Sequence, residues 1–317
     1  MDKVAILTGD PNGIGAEVTL KALDKLNLPE DKIVLISNRD IIRNFKILKQ
    51  VQDDKILDKY EIIEIPYKKE DIKFGQVTKE AGEFSFQALK KVCELKPKAI
   101  VTAPVAKNAL HLAGHIFNGQ TEVIQKYLAH DNQKAEMLFV ADNFRVLLLT
   151  RHCALKDINL TKDIVINKIE NLTKVFKEKF KIKEPKFALC GLNPHAGEDG
   201  ILGREEIEVL IPAVEYLREE WINITYPKPS DTLFIKAGQN YNNDVKDEYD
   251  CYIACYHDQG LIPIKTVAGD KAVNTTIGLD IIRTSPAHGT AFDIAGKGLA
   301  NPDSMIEAIK LAMRLSE

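Results

Sequence analysis

Residues 249–265 read YDCYIACYHDQGLIPIK, and the reading of this stretch decides the fold. It opens as a short apolar strand. Cys251, Ile253 and Cys255 fall on one face, and Tyr252, Ala254 and Tyr256 on the other. The strand meets a dense polar cluster, His257-Asp258-Gln259-Gly260, and a second apolar run then ends in Lys265. A strand that stops in such a cluster puts a metal ligand or proton-transfer group at its carboxyl end, where open α/β sheets place their ligands. A solvated loop imidazole is the alternative use of the same histidine.

The junction recurs twice upstream. Phe144–Leu149 runs into Arg151-His152, and Phe187–Cys190 runs into the segment 191–198 that carries His195. Parallel strands of one sheet present their carboxyl ends on one edge, so His152, His195 and His257 can converge. Neutral imidazoles are good ligands for zinc, cobalt or nickel, and three ligands leave a position open for substrate. Three unrelated loop histidines would give the same pattern, because the chain has no short local metal motif. Asp231 and Asp258 can supply outer support or a further oxygen ligand. A second group, Lys265, Asn274, Arg283 and His288, combines cations with amide donors, which suits a phosphate or carboxylate as well as surface salt bridging.

Further out, residues 3–8 (KVAILT) form an apolar run that breaks at Gly9-Asp10-Pro11-Asn12-Gly13-Ile14-Gly15, and a helical pattern follows from Ala16. Strand, glycine-rich turn and helix make the start of an α/β unit. The spacing is neither G-x-G-x-x-G nor a P-loop, so the turn reads as a tight backbone turn at a helix start, suited to an anion. Ile33–Ser37, Tyr60–Ile65 and 99–105 read as strands, and Phe84–Leu95 as an amphipathic helix. Residues 118–122 (NGQTE) cap another helix, with Thr121 and Glu122 in its first turn. Met137–Val140 and Phe144–Leu149 flank Ala141-Asp142-Asn143 as a β-hairpin. Ile164–Phe180 and Asp303–Leu315 are amphipathic helices, the latter with Asn301 or Asp303 as cap. Lys107 reads as a solvated helix start.

Composition narrows the function. With 317 residues the chain can bury a substantial core. A formal charge of −3 argues against nucleic acid as the main partner, which usually needs a basic face. No apolar run is long enough to span a membrane, and the N-terminus lacks a signal-peptide pattern, so a cytoplasmic location is expected. The five cysteines are odd in number and scattered, which fits buried thiols rather than a disulfide framework. A zinc site of Cys251, Cys255 and His257 competes with plain strand packing.

Taken in order, GDPNGIGAEV, TAPVAK, NGQTE, LLTRHCAL, LNPHAGE, SDTLF, YHDQGLIPIK and IRTSPAHGTAFDIAGKG span the whole chain. By these motifs the chain resembles the 4-hydroxythreonine-4-phosphate dehydrogenases of pyridoxal phosphate biosynthesis. The resemblance implies an α/β fold like that of isocitrate and isopropylmalate dehydrogenases, with two α/β subdomains and a cleft between them. Residues 1–125 plus 285–317 would form the first. Residues 126–284 would form the second, with the metal ligands and the interface of a homodimer. It further implies NAD or NADP as cofactor and one divalent ion (Zn, Mg or Co) on His152, His195 and His257, with His257 reaching across from the other subunit. Gln120, Thr121, Lys265, Asn274 and Arg283 would meet the substrate, and Asp231 would lie near the metal. Lys265 and Asp231 are the expected catalytic groups, Lys265 for proton transfer or phosphate orientation.

The implied reaction oxidises the C3 hydroxyl of 4-phosphooxy-L-threonine, and the 3-oxo acid then loses carbon dioxide to give 3-amino-2-oxopropyl phosphate. One departure stands out: the family reads Gly-His-Thr-Glu where this chain has Gly119-Gln120-Thr121-Glu122. Gln carries no charge and shuttles no proton, which keeps open a related enzyme acting on threonate or erythronate 4-phosphate. An acyl-phosphate transferase on a related fold, needing no metal, is the alternative of another class. A non-catalytic metal- or phosphate-binding protein is a third.

Overall fold

The structure is a computed structural model and describes residues 1–44, 56, 58–130 and 133–317. In chain order it begins with β1 (Val4–Leu7), α1 (Gly15–Leu26), β2 (Ile33–Ser37), α2 (Arg39–Asn44), β3 (Glu61–Glu64) and α3 (Lys79–Leu95). There follow β4 (Ala99–Thr102), α4 (Lys107–Leu112), α5 (Gln120–Leu128), β5 (Glu136–Ala141), β6 (Phe144–Leu148) and α6 (Lys162–Glu178). Next come β7 (Lys186–Leu189), α7 (Ile211–Glu219), β8 (Asn223–Ile224), α8 (Ser230–Asn242), β9 (Cys251–Ala254) and α9 (His257–Ala268). The chain closes with β10 (Val273–Ile277), β11 (Ile282–Pro286) and α10 (Asp303–Leu315).

Two compact units result. The first comprises Met1–Ala135 and Val273–Glu317, the second Glu136–Ala272. The first therefore reaches further along the chain than 1–125 and takes in residues 273–284 as well. The cause is strand pairing: β10 lies antiparallel to β11, which is itself parallel to β4.

Strands of the first unit run in the order β3-β2-β1-β4-β11-β10, with β10 alone reversed. β1, β2 and β4 are buried along their whole length, as expected of parallel strands covered on both faces, which is why they read as continuous apolar runs. Thr78 starts α3 by accepting the Ala81 N–H on its hydroxyl at 3.2 Å. Gly82 lets α3 approach α4 closely, since a Cβ there would lie 1.9 Å from the Ala109 carbonyl oxygen. Pro302 is the N-cap of α10, and just before it the Asn301 side chain accepts the Asp303 N–H at 3.0 Å.

The second unit orders its strands β5-β6-β9-β7-β8. β5 and β6 form the hairpin expected from sequence, turning at Asp142 with φ 49°. β6, β9, β7 and β8 are mutually parallel. The apolar run after His257, left unassigned by periodicity, is helical: α9 starts at His257 and contains Pro263. Gly260 seats this helix on the sheet, for a Cβ there would lie 2.7–2.9 Å from side-chain atoms of Leu148, Val146 and Ala254.

Candidate functional site

In the first unit, Arg283 sits on β11 and is 4% exposed. Its Nε and one terminal nitrogen donate to the Thr102 hydroxyl at 2.9 and 2.6 Å; the other donates to Thr121 at 3.2 Å and Thr276 at 3.3 Å. Thr102 ends β4, Thr276 lies on β10, and Thr121 is in the first turn of α5, so four elements converge on one guanidinium. None of these partners is a carboxylate. Burial pushes Arg283 down to about 10, and the charge of Glu122 opposes that shift. A buried cation held only by hydroxyls is costly until an anion joins it. The N-terminus of α5 adds favourable dipole to the same place.

Buried acceptors of this unit without a hydrogen bond include Oδ1 of Asn274, Oε1 of Gln120 and Oδ2 of Asp10. Gln120 donates from Nε2 to the Ala103 carbonyl at 3.1 Å. Asp10 binds the adjacent carbonyl, Pro104, through its backbone N–H at 2.9 Å, and its carboxylate accepts the Asn12 N–H at 2.9 Å. Asn12 in turn holds residues 73–78 through Lys73, Gln76 and Thr78. The glycine-rich turn is thus a hub that fixes neighbouring loops. Burial pushes the Asp10 carboxyl up to about 6.

In the second unit, the parallel ends of β6 and β9 are stitched together beyond the strands. Leu149 N–H donates to Ala254, and both the N–H and the hydroxyl of Thr150 donate to Cys255, at 2.8, 3.1 and 2.7 Å. This brings His152 and His257 side by side, with ring centroids 5.6 Å apart. His257 Nδ1 is 2.7 Å from Asp258 Oδ1. His195 lies in the segment after β7, where residues 195–199 all have positive φ. Its Nδ1 bonds Glu198, which raises its pKa by hydrogen bond and charge; the charge of Asp231, in the first turn of α8, acts the same way.

Among the described residues no group of three or more His, Cys, Asp and Glu is assembled to hold a metal ion. The structure joins two of the expected histidines and leaves the third in its own carboxylate-bonded segment. The donor chemistry nonetheless suits a divalent transition ion: in His195 and His257 a carboxylate engages Nδ1, which leaves Nε2 as the nitrogen that could ligate one. Lys265 is eight residues past His257 on α9, roughly 12 Å along the helix axis. Cys251 and Cys255 are buried free thiols, and burial pushes Cys251 up to about 12, away from the thiolate a zinc site needs. Thr102 and Thr276 were not legible as site residues, since each continues an otherwise ordinary strand. Asp10 reads in sequence as a turn residue.

Fold and site together define an α/β protein with a buried arginine bonded to three threonine hydroxyls in one unit and a histidine-bearing strand edge in the other. Residues 11–312 match the family described as "Pyridoxal phosphate biosynthetic protein PdxA", and the chain belongs to that family. It is 41% identical over 330 residues to the 4-hydroxythreonine-4-phosphate dehydrogenase of Sulfurihydrogenibium sp., covering 99% of this chain and 98% of that one. It is 37% identical over 332 residues to the D-threonate 4-phosphate dehydrogenase of Pectobacterium atrosepticum, covering 99% of each. The crystal structure of 4-hydroxythreonine-4-phosphate dehydrogenase from Klebsiella pneumoniae superposes with a TM-score of 0.86 at 31% identity, covering 100% of both chains. Isocitrate dehydrogenase from Methylococcus capsulatus shares the fold alone, with a TM-score of 0.51 and 14% identity over 99% of this chain and 85% of that one. The expected fold class is therefore borne out.

Proposed function

We propose that this enzyme oxidises 4-phosphooxy-L-threonine at its C3 hydroxyl with NAD or NADP, the 3-oxo acid then decarboxylating to 3-amino-2-oxopropyl phosphate. The observation that carries the reading is Arg283, a buried guanidinium ringed by three threonine hydroxyls with no carboxylate among its bonds. It offers a phosphate group a prepaid set of donors in a family whose relatives are named for 4-phosphorylated hydroxy acids. Asn274 and Thr121 complete the phosphate end.

His152, His195 and His257 would hold the divalent ion, whose Lewis acidity polarises the hydroxyl under oxidation. Asp258 and Glu198 orient two of these rings. Asp231 acts on the same edge through its charge on His195. Lys265 serves as proton carrier or second phosphate contact. Because His257 and Lys265 share α9, a homodimer that lends one to its partner's site lends both on one rigid helix. Buried polar atoms on the loops of the first unit, Oδ2 of Asp10 and Nε2 of His288, are the kind a dinucleotide's hydroxyls and amides satisfy. The chemistry suits a cytoplasmic enzyme of coenzyme synthesis.

A second reading, oxidation of D-threonate 4-phosphate, is favoured by Gln120 in place of the family's histidine. Formation of NAD(P)H is measured with each compound, using metal-loaded protein, a chelated sample and His195→Ala. Turnover of 4-phosphooxy-L-threonine that disappears in both controls is the expected result. Turnover of D-threonate 4-phosphate alone selects the second reading, and undiminished activity in both controls overturns the metal assignment.

A further inference from the structure

Glu206 opens the π-helical turn Glu206–Leu210 that runs into α7, and it is only 2% exposed. Turns of this kind occur frequently at functional sites. The bonds of its carboxylate come from one residue. Oε1 accepts the Asn193 backbone N–H at 2.8 Å and Oε2 the Asn193 side-chain amide at 2.9 Å. The same amide also donates to Glu205 at 2.7 Å. No cation is among these partners, and a carboxylate buried in that way is costly.

The segment it holds is strained. Residues 195–199 form a left-handed turn with φ of 53°, 55°, 86°, 43° and 54°, a region that only Gly197 adopts freely. Such backbone persists where its surroundings over-determine it. Upstream, Gly191 is fixed by its N–H on the Lys228 carbonyl at 2.8 Å and by Gln259, whose Nε2 donates to the Gly191 carbonyl at 2.7 Å. The turn itself rests on Glu206, for a Cβ on Gly197 would lie 2.8 Å from Oε2. Asn193 stands two residues before His195 and Gly197 two residues after it, so one carboxylate bears on both flanks of the histidine. We infer that Glu206 is the positioning residue for His195, holding the left-handed turn in the form in which Glu198 engages the imidazole at Nδ1. This rests on the proposed reading of His195 as a ligand of the divalent ion. Glu206 acts through the backbone of the turn.

The test uses the full chain as wild type, Glu206→Leu, Glu206→Gln, His195→Ala and the double variant Glu206→Leu with His195→Ala. Zinc affinity is read by calorimetry, and the amides of Ala196, Ile201 and Leu202, all bonded within the segment, by hydrogen exchange without added zinc. Glu206→Leu should weaken zinc binding about 10- to 100-fold, the scale for a group that orients a ligand without touching the metal. Glu206→Gln keeps an acceptor for the Asn193 N–H and should stay within about threefold of wild type. Added to His195→Ala, Glu206→Leu should cost less than about twofold more, because a residue acting through His195 has nothing left to position. It should also speed exchange of the three amides about 10-fold, with Leu189 and Cys190 at the end of β7 unchanged. If Glu206→Leu does not fold, Asn193→Ala breaks the same contact from its half-buried side and should reproduce the zinc and exchange effects. Unchanged zinc affinity, an additive loss in the double variant, or unchanged exchange of the three amides each overturns the inference. If His195→Ala itself leaves zinc binding unchanged, the metal reading has failed, and amide exchange still decides whether Glu206 holds the turn.

Discussion

A single arginine illustrates how cost and function coincide at the residue scale. Arg283 gives up hydration and receives hydroxyl partners in return, an exchange that leaves a buried cation undercompensated. Arg283→Met should therefore leave the urea midpoint unchanged or raise it, while KM for the phosphorylated substrate rises about 10- to 100-fold, the scale of a lost charge-assisted hydrogen bond. A lowered midpoint with an unchanged KM would show the guanidinium to be structural. Asp10 supplies the pH-dependent case. Its folded pKa of about 6 lies above its ordinary 3.8, because burial penalises the carboxylate. Stability is then fullest at low pH, declines as the unfolded state loses its proton first, and levels off above about 6. Relative to Asp10→Asn, which does not titrate, wild type should lose roughly 3 kcal/mol between about pH 4 and pH 6. Denaturant titrations at several pH values would measure it, and parallel curves would place the Asp10 carboxyl in contact with water.

Elements matter here because their ends carry the chemistry. β6 and β9 are short, yet the bonds from Leu149 and Thr150 extend their pairing far enough to hold His152 beside His257. The angle at which α9 leaves the sheet depends on Gly260, whose missing Cβ makes room for Leu148, Val146 and Ala254. Gly260→Ala gains about 1 kcal/mol of helix propensity but overpacks this contact by about 1–3 kcal/mol. The expected net outcome is a lower Tm and weaker zinc binding, read by calorimetry, because His257 opens the displaced helix. A variant with unchanged Tm and zinc affinity would mean that α9 has slack against the sheet.

For the whole molecule, the two units carry different groups: the buried Arg283 with its partners on β4, β10 and α5 in one, and histidines just beyond the ends of β6, β7 and β9 in the other. Light scattering should give twice the chain mass of 35.5 kDa, as a homodimer requires. A monomer with full activity would remove the shared-site arrangement. Among the described residues no helix is long and apolar enough to cross a membrane.

Sequence alone determined the α/β class, the strand-then-histidine junctions, the β5–β6 hairpin and the membership signalled by motifs running through the whole chain. These are local properties: alternation, glycine turns and motif order are written in neighbouring residues. Only tertiary structure decided the rest. Periodicity left the Leu261–Lys265 run unassigned; it is part of α9, which Gly260 seats on the sheet and which carries Lys265 away from His257. Residues 273–284 belong with the first unit because β11, the hairpin partner of β10, pairs with β4, a strand far back in the chain. Thr102 and Thr276 became partners of Arg283, and Gln120 acquired a direction, through contacts that local sequence does not specify. Hydrogen bonds of that kind depend on which strands become neighbours, and no local pattern encodes that choice.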